Sequence, residues 1–159
     1  MLSIDGAFNK YIRHKNNWAS SIQLFGRLKL PFTQAYLNQR ALGYGEFYLR
    51  GLEYYVIDGV AAAVARYTLK KKICSFNIPV PFHIRILPKI PFTIFAKTYA
   101  DAGYSYSKPE FDSRLNNILL YTGGFGIDIL TLYGINLRLE YSFNQLGENG
   151  LFLHTKGGF

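Results

Sequence analysis

The sequence is poor in the residues that usually build covalent or metal-based sites. It contains one cysteine, Cys74, which excludes an intramolecular disulfide and is interpreted as an inert thiol. Its three histidines, His14, His83 and His154, lie far apart and show no metal-ligand spacing. The sequence therefore predicts neither a metal site nor a cofactor.

Charge is also scarce, and it is dispersed along the chain. Charged residues make up 18%, below the usual quarter, although the formal net charge is +8. The only basic run covers residues 70–72, and no motif typical of nucleic-acid binding occurs. Ser20, Ser21, His14 and the scattered carboxylates form no nucleophile or acid–base set. We therefore predict neither nucleic-acid binding nor enzymatic activity.

Long apolar runs and an export signal are missing as well. No stretch reaches the roughly 18 apolar residues of a transmembrane helix, whereas a membrane β-strand is shorter and alternates. Residues 1–6 do not show the basic segment that precedes the apolar part of a secretory signal. We therefore expect the chain to be a fragment, or to begin at a position other than the natural start.

The sequence is rich in aromatic residues and in alternating patterns. Aromatics make up 17%, and residues 135–143 alternate strictly between apolar and polar side chains, which predicts a strand with one wet face. Residues 59–70 are read as a strand, although their Ala-rich centre also permits a helix. Residues 74–91 contain four of the six prolines and are predicted to form an irregular connection. The predicted strands cover residues 2–12, 18–30, 59–70, 92–103, 119–131, 135–143 and 151–159.

These strands favour a membrane β-barrel over a soluble β-sandwich. They are longer than the usual five or six residues and match the roughly 9–11 needed to cross hydrocarbon at a tilt. Their polar faces carry mainly Ser, Thr, Asn and Gly, unlike the charged surface of a sandwich. Turns at 16–17 and 132–134 are short, while the loops at 31–57, 105–117 and 144–150 on the other side are long. The predicted fold is an all-β, antiparallel transmembrane β-barrel.

Three local motifs resemble those of the BamA/TamA-type outer-membrane protein assembly factors, the bacterial surface antigen family. Phe-Tyr-Leu-Arg-Gly-Leu-Glu at residues 47–53 is similar to the family's Val-Arg-Gly-Phe/Tyr signature, with Leu49 and Leu52 replacing its outer residues. Tyr-Ala-Asp-Ala-Gly at residues 99–103 is similar to an aromatic-x-Asp-x-Gly strand motif. The amphipathic segment that ends in Phe159 resembles the insertion signal of outer-membrane proteins.

The resemblance implies an architecture and three groups of site residues. The family barrel has sixteen strands, of which residues 1–159 would supply about the last seven, with no POTRA domain present. Arg50 is expected to pair with a carboxylate of the lumen wall, and Asp101 is favoured by strand phase. The implied residues are Leu49, Arg50, Gly51, Leu52 and Glu53 in a loop folded into the lumen; Tyr99, Asp101, Gly103, Asp128 and Glu140 on the wall; and Leu151, Leu153, Thr155, Gly157 and Phe159 in the insertion signal.

The same resemblance implies a function without covalent chemistry. The family inserts nascent barrels into the bacterial outer membrane by opening a seam between its first and last strands, so this chain would act by strand pairing. The implied partners are outer-membrane lipid, nascent outer-membrane proteins and accessory assembly lipoproteins. Two alternatives remain open: the membrane-anchoring or translocator barrel of a fused enzyme such as a hydrolase, and a small stand-alone outer-membrane barrel.

Overall fold

The computed structural model describes residues 2–33, 35, 38–44, 47–79, 89–108, 113–131 and 134–156. The described backbone forms nine strands: β1 (Leu2–Arg13), β2 (Trp18–Leu30), β3 (Arg40–Leu42), β4 (Ile57–Asp58), β5 (Ala61–Pro79), β6 (Lys89–Tyr106), β7 (Leu119–Leu130), β8 (Asn136–Asn144) and β9 (Asn149–Lys156). Alternation and many aromatic residues favour this extended backbone. Within these ranges, no helix is long and apolar enough to cross a membrane.

Seven of the strands form one antiparallel sheet in the order β1-β2-β5-β6-β7-β8-β9. Strands β3 and β4, which lie between β2 and β5 along the chain, form a separate two-stranded ribbon. The prediction of an all-β antiparallel sheet is thereby confirmed. Residues 61–63 belong to a strand and not to a helix because they pair with β2 on one side and with β6 on the other.

The prediction of an irregular connection over residues 74–91 is wrong at both of its ends. Strand β5 continues to Pro79 and pairs with the beginning of β6. In this pairing, Pro91 of β6 lies opposite Asn77 of β5. The register shifts once, between Lys72 and Cys74. This hairpin extends beyond β2 and β7, so its outer edges are free of ladder bonds, and prolines are tolerated there. Residues 80–88 lie outside the described part of the chain.

The two faces of the sheet differ in their side chains and in their exposure. One face presents exposed apolar side chains, among them Phe125, Leu139 and Leu153, which are 56%, 41% and 64% exposed. On the other face, charged and polar side chains are buried; these include Lys97, Asp101, Asp128, Glu140 and Ser142. We call these the apolar face and the polar face.

The polar face is covered by the chain between β2 and β5. This covering segment consists of residues 38–60, in which residues 45 and 46 are not described. It contributes the centre of an apolar cluster that packs on the sheet, made by Ala41, Leu42, Leu49, Leu52 and Ile57 against Ala62, Val64, Leu115 and Leu120. Burial of these side chains is what holds the segment against the sheet, because each removes apolar surface from water.

Candidate functional site

The site is built around a tight turn in the covering segment. Leu49 and Leu52 are each 2% exposed, and the backbone N–H of Leu52 donates to the carbonyl of Leu49 at 3.0 Å. Gly51 adopts a φ of +84°, and a Cβ there would lie 2.9 Å from the Cβ of Ser142. Only glycine fits both the left-handed backbone and the close approach. The two buried leucines and this glycine direct Arg50 between them onto the sheet.

Arg50 forms a two-pronged ion pair with Asp101 of β6. Its Nε donates to Asp101 Oδ2 at 2.8 Å, its Nη2 contacts Oδ1, and its backbone N–H donates to Oδ2 at 3.3 Å. The side chains of the pair are 11% and 0% exposed. Asp101 is the partner favoured by strand phase. A planar guanidinium matches a carboxylate in this bidentate geometry better than an ammonium group does.

Further contacts fix the orientation of the guanidinium. Nη1 donates to Thr68 Oγ1 at 3.0 Å, and Nη2 donates to the carbonyl of Tyr67 at 3.4 Å. The guanidinium carbon lies 4.0 Å from the centre of the Tyr99 ring. Burial alone lowers the pKa of Arg50, but hydrogen bonding and attraction to Asp101 outweigh it and leave that pKa raised. Arg50 is therefore a permanent charge that binds the covering segment to β5 and β6.

Tyr99 lies beneath Arg50 and links it to the next strands. Its hydroxyl contacts the hydroxyl of Ser142 on β8, and both side chains are buried. The ring crosses Gly124 of β7, where a Cβ would lie 2.6 Å from the tyrosine oxygen and 2.3 Å from the carbonyl of Tyr141. Sequence reasoning included Tyr99 but missed Ser142 and the role of Gly124. The signal for both was their position on the polar side of the alternation.

The other two wall carboxylates pair with lysines instead of Arg50. Lys97 is sandwiched between them: its Nζ lies 2.5 Å from Asp128 Oδ1 and contacts Glu140 Oε1. Lys70 contacts the second oxygen of Asp128. The side chains of Lys97, Asp128 and Glu140 are each 2% exposed, so their charges are compensated by direct contact and not by bulk water.

Glu53 connects the covering segment to the far end of the sheet. Its Oε1 lies 3.1 Å from Nε2 of His154 on β9, and the same nitrogen lies 3.6 Å from Glu140 Oε2. Burial raises the pKa of Glu53, a change that His154 opposes and Glu140 reinforces. His154 was not among the predicted site residues, because nothing in the sequence places position 154 beside position 53.

A second anchor of the covering segment carries no recognisable signal in the sequence. Arg66 of β5 contacts the carbonyl of Tyr48, and its guanidinium lies 4.7 Å from the Tyr48 ring and 5.1 Å from the Phe25 ring. Phe47 packs edge-on against Phe25, with ring centres 5.7 Å apart. Aromatic residues of the 31–57 loop thus lie against β2 and β5 and are held there by cation–π and edge-to-face contacts.

The remaining predicted residues fall in two places. Gly103 lies under the covering segment, where a Cβ would come within 2.8 Å of Leu49 Cδ1. On β9, Leu151 and Leu153 are each 64% exposed on the apolar face, and Thr155 is exposed beside them. Gly157 and Phe159 lie outside the described residues. The turn and wall residues therefore meet at one site, while the described residues of the C-terminal group form a separate strip.

Comparisons of the chain with protein-family models, curated proteins and solved structures find no match. The chemistry of the site must therefore be inferred from its own geometry. Its charged groups are locked to one another, and its hydroxyls act as hydrogen-bonding partners within the same network. This arrangement suits holding a segment in place.

Proposed function

We propose that this chain is the C-terminal part of a transmembrane β-barrel in the bacterial outer membrane. The parent protein assembles or translocates outer-membrane proteins, as the BamA/TamA-type factors do. The apolar face contacts lipid, and the polar face lines the barrel interior. The covering segment is the loop folded into that interior. The mechanism is pairing of strands at the barrel seam, with no covalent step.

The distribution of side chains on the sheet supports the membrane part of this proposal. Lipid is a suitable environment for exposed residues such as Phe125 and Leu153, and a polar interior is suitable for Lys97 and Asp128. Strands β2 and β7, with 13 and 12 residues, are long enough to cross the roughly 25 Å apolar band at a tilt. A sheet edge left open in hydrocarbon is costly, so closure with further strands is expected.

The observation that carries the proposal is the ion pair between Arg50 and Asp101. It joins the Arg-Gly turn to the Asp-x-Gly strand, two of the three motifs on which the family resemblance rests. The pair is bidentate and buried, and Tyr99 lies at 4.0 Å beneath it. Two motifs 51 residues apart in sequence therefore act as one structural unit.

The strand-pairing mechanism is supported by the position of β9. In the described seven-stranded sheet, β9 pairs on one side only, with β8, and β1 is the other edge strand. The free edge of β9 presents unpaired backbone N–H and C=O groups, which form a template for another strand. An incoming strand of a nascent barrel would continue the sheet at this edge.

Site-specific cross-linking in the full-length protein tests this function. In a Cys74→Ser background, a cysteine at position 153 of β9 is placed beside the free edge. A cysteine at position 139 serves as the matched control, because Leu139 is the register partner of Leu153 but lies on β8, which is paired on both sides. With a cysteine in the terminal strand of a nascent barrel and an added thiol oxidant, we expect a disulfide to form with position 153 and not with position 139.

The proposal also predicts where the protein resides and what its loss does. The full-length protein should fractionate with the outer membrane, and its depletion should lower the amounts of folded outer-membrane barrels. Normal barrel levels after depletion, together with no capture at position 153, would contradict the assembly function. Outer-membrane location with an intact upstream enzymatic activity would instead identify a membrane anchor.

A further inference from the structure

We propose that Glu53, Glu140 and His154 form a binding site for one divalent transition-metal ion, with Zn²⁺ as the best-fitting candidate. The three residues come from the covering segment, β8 and β9 respectively. This site is additional to the Arg50 anchor, and its existence does not depend on the function proposed above.

Two of the three donor separations are close to those that a tetrahedral ion requires. Nε2 of His154 lies 3.1 Å from Glu53 Oε1 and 3.6 Å from Glu140 Oε2, and one donor atom from each residue lies within 4.8 Å of the others. Zinc–ligand bonds of about 2.0–2.1 Å place neighbouring donors roughly 3.3 Å apart in a tetrahedron. An ion could therefore be accommodated by small side-chain adjustments.

Direct contacts leave carboxylate oxygens directed towards His154. Lys97 occupies Oε1 of Glu140 and leaves Oε2 directed towards His154. Along the chain of contacts that runs from Lys70 to Glu53, three carboxylates face two ammonium groups. Arg66 also attracts Glu53, and Arg138 lines the adjacent cavity, so the directed donor atoms and not a net negative charge are what a cation would bind. Chemical protection of His154 by Zn²⁺ distinguishes a bound cation from a shared proton.

The ligand set and its neighbours select the kind of ion. One imidazole and two carboxylates suit Zn²⁺, which commonly takes three protein ligands and a water. Ca²⁺ and Mg²⁺ need six or more oxygen ligands and depend more on net negative charge. The cavity of about 500 Å³ beside His154 leaves room for the fourth, water ligand.

Occupancy would fasten the covering segment to β9. Glu53 lies three residues from Arg50, and His154 lies on β9, one of the two edge strands of the seven-stranded sheet. The side chains of Glu53 and His154 are 15% and 28% exposed, and His154 lines the adjacent cavity, from which an ion can reach it. The metal would thus hold the segment at a further point on the polar face, nearer the β9 edge of the sheet than Asp101 is.

Calorimetric titration of the metal-free, full-length protein in detergent with Zn²⁺ tests the proposal. We expect one saturable equivalent, with an affinity lowered at least ~10-fold in Glu53→Gln and in His154→Gln, because outer-shell changes alone cost that much. His14→Gln is the matched control, since His14 contacts Ser20 Oγ at 2.7 Å, away from the cluster. This variant should bind as the wild type does.

A second measurement on the wild type does not depend on the variants folding. Zn²⁺ should protect His154, but not His14, from diethyl pyrocarbonate, as located by peptide mass spectrometry. Absence of saturable binding, or binding that is unchanged in His154→Gln, would overturn the proposal. Equal modification of His154 with and without Zn²⁺ would also overturn it, and would identify the cluster as a proton-bridged ion pair.

Discussion

Removing either partner of the Arg50–Asp101 pair should destabilise the folded protein strongly. Asp101 has a fully buried side chain and Arg50 an 11% exposed one, so truncating one partner leaves a buried charge uncompensated. Such truncations cost about 3–5 kcal/mol. We therefore expect Arg50→Ala and Asp101→Ala each to lower the free energy of unfolding by about this amount.

The double variant separates the interaction from the burial of each charge. When both partners are gone, no charge is left unpaired, so the double variant should cost less than the sum of the single ones. A charge-assisted pair of this kind contributes about 1.5–3 kcal/mol, which is the coupling expected from the cycle. Arg50→Lys keeps the charge but loses the fork and the stacking on Tyr99, so it should recover only part of the loss.

The chain offers a matched control pair. Arg27 binds Asp5 with two hydrogen bonds of 2.8 and 3.1 Å, and its guanidinium lies 4.1 Å from the Phe47 ring. Its geometry is therefore similar to that of Arg50, but the side chains are 16% and 41% exposed. Water screens this pair, and its coupling should be only about 0.2–1 kcal/mol.

Urea unfolding of each variant in detergent micelles, followed by the fluorescence of Trp18, gives the four free energies of each cycle. The sheet signal in circular dichroism checks that every variant folds before unfolding is measured. Equal coupling in the two cycles would refute the reasoning, because it would mean that burial does not strengthen the Arg50 pair. Additive effects of Arg50→Ala and Asp101→Ala would show that the two side chains act independently.

Three further changes test other parts of the structure. Gly124→Ala should lower the free energy of unfolding by about 1–3 kcal/mol through overpacking. Gly6→Ala should cost much less, because nothing lies within 4 Å of the added Cβ. Equal losses of stability in urea unfolding would contradict the packing argument. The pKa of Glu53 is raised above the usual 4.5 in the folded state, so the folded protein binds a proton more readily than the unfolded one. The free energy of unfolding, measured relative to Glu53→Gln, should therefore increase as the pH falls through the folded pKa towards 4.5. Parallel stability–pH curves for the two proteins would contradict this. Removing Phe159 should impair membrane assembly of the full-length protein much more than replacing Lys156, because a terminal aromatic residue anchors at the interface. Heat-modifiability on gels measures the assembly. Equal assembly of the two variants would argue against a C-terminal insertion signal.

Alternation in the sequence determined the strands and the assignment of their faces. Strand β2 covers residues 18–30 as the pattern predicts, and Asp101 and Asp128 lie on the polar face as their phase predicts. The reason is local, because successive side chains of a strand point to opposite faces of the sheet. A shift of one residue in the strand register would therefore move all the apolar side chains of that strand to the wrong face. Strand phase also favoured the correct partner for Arg50, because it placed Asp101 on the face that the loop covers.

Tertiary structure decided what phase leaves open, namely which residues of the polar face touch. Lys97 takes both Asp128 and Glu140, which leaves Asp101 to Arg50, and His154 meets Glu53 across a separation of 101 residues. These choices depend on strand register and on how the covering segment packs. The extension of β5 to Pro79 and the start of β6 at Lys89 were decided in the same way, because ladder bonds between these strands outweigh the local preference of proline for turns once the outer edges are free. Local propensity sets the conformation of a segment, but contacts between distant segments set its partners.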